Sequence, residues 1–178
     1  MGILEKIDME TLLKNLKEKF PRYILDLREG DTTTLTVKRE GFLEIMQFLK
    51  GEGFNHLIDL CGVDYLNYKL EAKPERFEVV YHLYSISRKE LLRVKVPIPE
   101  KDCWQYSLTS LWKTANWFER ECYDMFGIVF KGHPDLRRIL MPEDWEGFPL
   151  RKDYPLQLEE EREWKVYREL KTKARGAR

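Results

Sequence analysis

The chain has 178 residues, of which 43% are hydrophobic and 35% charged, with 31 Lys plus Arg balanced by 31 Asp plus Glu. That length suits one domain with an appendage, and such a chain buries roughly two-thirds of its unfolded surface. A formal charge of zero argues against nucleic acid as the main partner and favours association over a solitary monomer.

In chain order, "DMETLLKNLKEKF" sets Met9, Leu12, Leu13, Leu16 and Phe20 at helical spacing, with Asp8 as N-cap and Pro21 as the stop. "RYILDLRE" and "TTTLTVK", separated by Gly30-Asp31, alternate as a hairpin does. "GFLEIMQFLK" returns to helical period through Phe42, Ile45, Met46 and Leu49. Three strands are then expected, in "FNHLIDLCGVDY", "FEVVYHLYSI" and "ELLRVKVPIP". In the last, Leu92, Val94, Val96 and Ile98 share one face and Arg93 and Lys95 the other. Helix, two strands, helix, three strands is not the alternation of a doubly wound fold. It predicts an α+β two-layer sandwich with a mixed or antiparallel sheet and a helical and extended C-terminal tail.

Beyond Pro99 the pattern changes. The aromatic-rich "DCWQYSLTSLWKTANWFERECYDMFG" reads as a helix or pair of helices, and the Gly- and Pro-studded run after it as extended and irregular. The last residues place Glu159 to Glu161 before Lys171 to Arg178, an order that suits a terminal helix with a narrow Trp164, Tyr167, Leu170 stripe. The expected organisation is an α+β domain over 1–100, a helical segment completing it over 101–130, and a partner-binding tail over 131–178. A long irregular apolar segment has to lie along something.

Cys61, Cys103 and Cys122 are odd in number and form no C-x-x-C pair, so neither a zinc ribbon nor an iron–sulfur cradle is written here. They read as reduced thiols. "MGILEKIDME" shows no signal-peptide pattern, and no stretch approaches the ~20 apolar residues of a membrane span. Membrane association is therefore expected only through partners.

"ERECYDMFGIVFKGHPDLRRIL", residues 119–140, mixes buriable apolar groups with Glu119, Arg120, Glu121, Asp124, His133, Arg137 and Arg138. On a wheel over 115–127, Phe118, Cys122, Met125 and Phe126 form one stripe, while Trp117 and the charges take the opposite one. Arg120 and Asp124, four apart, make an ordinary surface ion pair in the plainest reading. The alternative is one semi-buried network of the helix acids with Arg137 and Arg138. In that network Arg137 is desolvated, and its replacement by Ala is expected to cost ~3–5 kcal/mol. Catalysis finds little to work with. Glu119 and Glu121 point to different sides of a helix, E-x-x-H spacing is absent, and no nucleophile elbow or phosphate loop occurs. A hydrolase or lyase using Glu121 or Asp124 with His133 is the contrary reading, with His133 in "GHPD" more often a structural hydrogen-bonder. Trp145 and Phe148, in a stretch with no evident local core, read as anchors inserted into a partner.

These residues resemble the signature of the C subunit (30 kDa subunit) family of NADH–quinone oxidoreductase, respiratory complex I. Glu119, Arg120, Glu121, Asp124, Met125, Phe126, His133, Arg137, Arg138, Ile139 and Leu140 fill every position of that pattern, and "ILMPEDWEGFPLRKDYPL" extends it. The resemblance implies a scaffold in the hydrophilic arm that braces the large D (49 kDa) subunit near the quinone chamber. It implies no catalytic, cofactor or metal residue in this chain, the FMN and iron–sulfur clusters residing in partners. Trp145, Phe148, Arg151, Lys152 and Asp153 are then expected to engage the large subunit. The expected location is peripheral, on the cytoplasmic side of the membrane. A homologous subunit of a membrane-bound hydrogenase or of a ferredoxin- or F420H2-dependent complex is the alternative.

Overall fold

The computed structural model describes residues 8–155 and 172–173. Helix α1 (Met9–Lys19) starts as its sequence dictates, with Asp8 Oδ1 accepting from Thr11 N at 2.8 Å. It ends where Phe20 N donates to Leu16 O, just before Pro21. Strands β1 (Ile24–Arg28) and β2 (Thr33–Val37) form the expected antiparallel hairpin. Helix α2 (Phe42–Gly51) follows directly. Gly41 at its start is a contact point, because a Cβ there would sit 2.2 Å from Tyr23 Cγ.

Strands β3 (His56–Asp64), β4 (Phe77–Ser85) and β5 (Glu90–Ile98) complete a five-stranded sheet of order β1-β2-β5-β4-β3. The β2–β5 pairing is parallel and the other three are antiparallel, so the sheet is mixed. One face is apolar. Leu35, Val37, Val79, Tyr81, Leu83, Leu92, Val94, Val96 and Ile98 pack with Leu12, Leu16, Phe42, Ile45, Met46 and Leu49 in a single core. The other face carries cross-strand polar pairs. Lys95 Nζ lies 3.1 Å from Glu78, Arg93 Nε donates to His82 Nε2 at 2.9 Å, and His82 Nδ1 lies 3.2 Å from Asp59. An arginine has no acceptor, so His82 carries its proton on Nδ1 and gives it to Asp59. This histidine is structural.

The segment after Pro99 corrects the expectation of a helix or pair of helices. Trp104–Tyr106 is a strand, β6, paired in parallel with β7 (Val129–Lys131), and only Ala115–Phe126 is α-helical, α3. The physical reason is non-local. A parallel pair needs a crossover, here α3, so β6 meets its hydrogen-bond partner only after the helix has been traversed. Trp104 and Tyr106 stack edge to face at 5.0 Å, and the Arg39 guanidinium lies 4.3 Å from the Trp104 ring centre. Helix α3 presses directly on β3: a Cβ on Gly62 would meet Phe126 Cδ2 at 2.7 Å and Cys122 Sγ at 3.1 Å. It ends at Gly127, whose φ of 73° lies in the left-handed region and whose N–H caps Tyr123 O. Between Gly132 and Pro155 the described chain has no helix or strand, as expected of an irregular run. The terminal helix expected around Trp164, Tyr167 and Leu170 lies outside the described residues.

Candidate functional site: a helix and tail joined by buried charge

Asp124 is fully buried on α3, yet it is the most heavily solvated carboxylate of the signature, with the protein as its solvent. Its Oδ2 accepts from the amides of Ile139, Leu140 and Met141 at 3.0, 2.8 and 2.9 Å, and its Oδ1 accepts from Arg138 Nη1 at 2.6 Å. The irregular loop supplies those three amides because, outside a helix or strand, they lack a backbone partner. Arg138 Nη2 donates onward to the carbonyls of Trp145 and Gly147 at 2.9 and 3.0 Å. Arg120 completes the clamp with opposite polarity, donating from Nε to Arg137 O and from Nη2 to Arg138 O at 3.1 and 3.0 Å. One helix thus offers an anion to the loop's amides and a cation to its carbonyls.

Burial alone would raise the Asp124 pKa, but the Met141 amide, Arg138 and the Ile139 and Leu140 amides overcome it and hold it below the usual carboxylate range. A folded-state pKa below the unfolded one contributes stability above the unfolded value and loses it as pH falls through the folded value. We expect acid unfolding of the wild type to become much shallower in Asp124→Asn, measured by circular dichroism from pH 5 downward.

A second joint lies farther along the described tail, at residues 150–153. The buried Asp64 carboxylate, at the end of β3, accepts from Leu66 N and Lys152 N, both at 2.9 Å, and pairs with Arg76 Nη2 at 2.9 Å. Arg76 also reaches Asp153 at 2.8 Å and pairs with Glu100. Arg151 Nε donates to Phe126 O at 2.6 Å, its guanidinium 4.9 Å from the Phe77 ring centre and 4.7 Å from that of Phe148. Leu150 N donates to Met125 O at 3.1 Å. The tail is therefore strapped across the C-terminal end of α3 and onto the sheet.

This arrangement corrects several expectations. Arg137 is not desolvated: its side chain is 62% exposed and pairs with Asp135, itself 57% exposed. The predicted loss on replacing it therefore moves to Arg138, which is 12% exposed. Glu119 is buried but pairs with neither arginine, and its Oε1 accepts from Leu108 N. Arg120 and Asp124 do not pair with each other, since both are engaged by the loop. The charge stripe is not uniformly outward, for Glu119 and Asp124 are buried while Glu121 and Trp117 are exposed. Trp145 and Phe148 do have a local core. Trp145 stacks on Tyr154 at 6.4 Å, and Phe148 meets Tyr123 edge to face at 6.3 Å. Arg151 and Asp153 spend their charge within the chain, whereas the Lys152 residue is exposed.

His133 is a turn element. Asp135 N donates to its Nδ1 at 3.0 Å, so Nε2 carries the proton and faces Asn116 O at 3.1 Å. With Asp124 saturated and His133 engaged at both nitrogens, the constellation suits fixing a loop better than moving a proton. Among the described residues no group of three or more His, Cys, Asp or Glu side chains is arranged to hold a metal. Among them, too, no helix is long and apolar enough to cross a membrane. Sequence reasoning missed the Asp64–Arg76 joint, because neither residue stands in a motif and the turn between their strands hides their pairing.

The class so defined is an α+β domain with a tail tied back onto its own third helix. Residues 35–160 match the family model described as respiratory-chain NADH dehydrogenase, 30 Kd subunit, and the chain belongs to that family. It is 51% identical over 144 residues to the C subunit of NADH-quinone oxidoreductase from Geobacter metallireducens, covering 80% of this chain and 86% of the relative. It is 52% identical over 127 residues to NADH-quinone oxidoreductase subunit 5 of Thermus thermophilus, covering 68% and 61% respectively. The structure of a trypsin-resistant fragment of Nqo5 superposes with a TM-score of 0.65 at 40% identity, covering 72% of this chain and 98% of the fragment. A chain of an archaeal membrane-bound sulfane sulfur reductase shares the fold at 23% identity and a TM-score of 0.68, covering 92% and 91%.

Proposed function

We propose that this chain is an accessory, structural subunit of the peripheral arm of a proton-translocating NADH–quinone oxidoreductase. It braces the large D (49 kDa) subunit near the quinone site while electrons pass from NADH to quinone through partners. The flavin and iron–sulfur clusters belong to those partners, and the chain reaches the cytoplasmic face of the membrane only through them. The observation that carries this reading is the fate of the signature charges. Asp124, Arg138 and Arg120 are engaged in holding the tail, an arrangement that suits building a rigid surface.

Three large apolar side chains near that joint remain outward: Trp117 is 60%, Leu140 61% and Leu150 52% exposed. Large exposed apolar side chains, on segments that also expose Arg137, Glu121 and Lys152, suit an interface with apolar anchors and polar surroundings. The names of the relatives favour the NADH–quinone enzyme over a hydrogenase or a ferredoxin- or F420H2-dependent complex. We expect Trp117→Asp with Leu140→Asp to reduce assembled enzyme and NADH–quinone electron transfer in native membranes at least about tenfold, about 1.4 kcal/mol of lost association. The isolated variant should unfold within about 0.5 kcal/mol of wild type, since both side chains are exposed. Normal assembly in the double variant would refute this surface as the contact.

A further inference from the structure

Helix α3 buries two carboxyl groups completely and treats them in opposite ways. Asp124 receives three amides and a guanidinium. Glu119 receives one amide: Leu108 N donates to its Oε1 at 2.6 Å, while its buried Oε2 has no hydrogen-bond partner. The groups around Glu119 are neutral. Ser107 approaches from the segment after β6, and its hydroxyl also contacts Thr109 Oγ1 at 2.9 Å. Buried Tyr81 of β4 and Cys122 of α3 are close enough for the Glu119 charge to raise their pKa values further. The nearest further titratable groups, Cys61 of β3, Cys103 and Glu121, lie around Cys122. Tyr81 Oη is likewise buried without a completed hydrogen bond, and so is Nε2 of the Gln105 carboxamide beside it.

An ionised carboxylate can only accept. At this site it would have the Leu108 amide, the Ser107 hydroxyl, a bare Oε2 and no countercharge, which is a costly way to bury charge. The neutral acid removes that charge, with its O–H on Oε2, the oxygen that has no partner. We propose that Glu119 is a proton-binding site sealed in the core. The folded chain holds it as the neutral acid, and loss of the proton loosens the junction of α3 with the segment after β6, where Leu108 N binds it. The exchange is a simple ionisation, the proton leaving to solvent and the electron pair staying on Oε2.

Burial is the dominant cause and pushes the Glu119 pKa up to about 7, with the Leu108 amide and Ser107 opposing it. A carboxyl group raised in this way contributes its full stability below the unfolded value of 4.5 and loses it as pH rises to about 7. That window is opposite in sign to the one set by Asp124. Across it the folded-to-unfolded ratio should fall by about two orders of magnitude from this group alone.

The test uses the full chain and Glu119→Gln, the isostere fixed in the neutral state. Urea unfolding should show the wild type losing at least about tenfold in stability relative to the variant between about pH 5 and pH 8. A wild-type-to-variant ratio that does not change with pH would overturn the proposal. Should the variant fail to fold, the wild type decides alone. The infrared carbonyl stretch of a neutral carboxylic acid should persist above pH 6, vanish on raising the pH further, and be absent in Glu119→Gln. Its disappearance near the ordinary glutamate value would exclude the site as drawn.

Discussion

Arg138→Ala should destabilise the isolated chain by about 3–5 kcal/mol in urea or thermal unfolding. The substitution does more than delete an ion pair. It leaves Asp124 charged and fully buried, with its Oδ1 stripped of a 2.6 Å partner, and it strands the carbonyls of Trp145 and Gly147. Three loop amides still hold Oδ2, which is why the expected loss is not larger. Arg138→Lys should recover only part of it, because a single ammonium does not reproduce the fork that bridges a carboxylate and two carbonyls. Its neighbour is the control. Arg137→Ala should stay within about 0.5 kcal/mol of wild type, since that side chain is 62% exposed and its pair with Asp135 is solvent-screened. Equal losses at the two positions would rule out Arg138 as the buried hub.

The second large effect is expected from Gly127→Ala. The residue sits at φ 73°, which costs a residue with a Cβ about 1 kcal/mol. Space is the heavier cost, for that Cβ would lie 2.4 Å from Phe148 Cε2 and 2.6 Å from its Cζ. The ring is not a free end that can swing aside. It is packed between Tyr123 and the guanidinia of Arg138 and Arg151, 5.4 and 4.7 Å from its centre. Expelling it forfeits the burial of a large aromatic group, about 1.5–3 kcal/mol. A total loss of about 2–4 kcal/mol should appear in unfolding, with faster proteolysis of the tail after Leu140 while the sheet stays resistant. A variant as stable as wild type would mean that Phe148 does not seal the helix end.

Much of this molecule is legible along the chain. Periodicity locates α1, α2 and the five strands of the main sheet, and the single buried face of β5 follows from its alternation. The limits are equally physical. The β6–β7 pair is hidden because three-residue strands have no measurable period and their partner lies across a helix. Residue type does not separate Arg137 from Arg138, adjacent and identical in chemistry; only the direction of the irregular loop turns one to solvent and the other to Asp124. A carboxylate in a mixed stripe reads as solvated, yet Glu119 and Asp124 are both fully buried, because the tail and the β6 segment cover faces that a lone helix would expose. Trp145 and Phe148 read as outward anchors for the same reason, the tail being its own cover.

These buried charges fasten the tail to the domain, and the proposed role is that the surface so built is fastened to another polypeptide. The sharpest check is purification of the tagged chain from native membranes, with its companions quantified by mass spectrometry. Equal amounts of the large D subunit and of the flavin- and cluster-bearing subunits of an NADH–quinone oxidoreductase should accompany it, with no prosthetic group on the chain itself. Recovery of the chain alone, or carrying a redox group of its own, would refute the scaffold role.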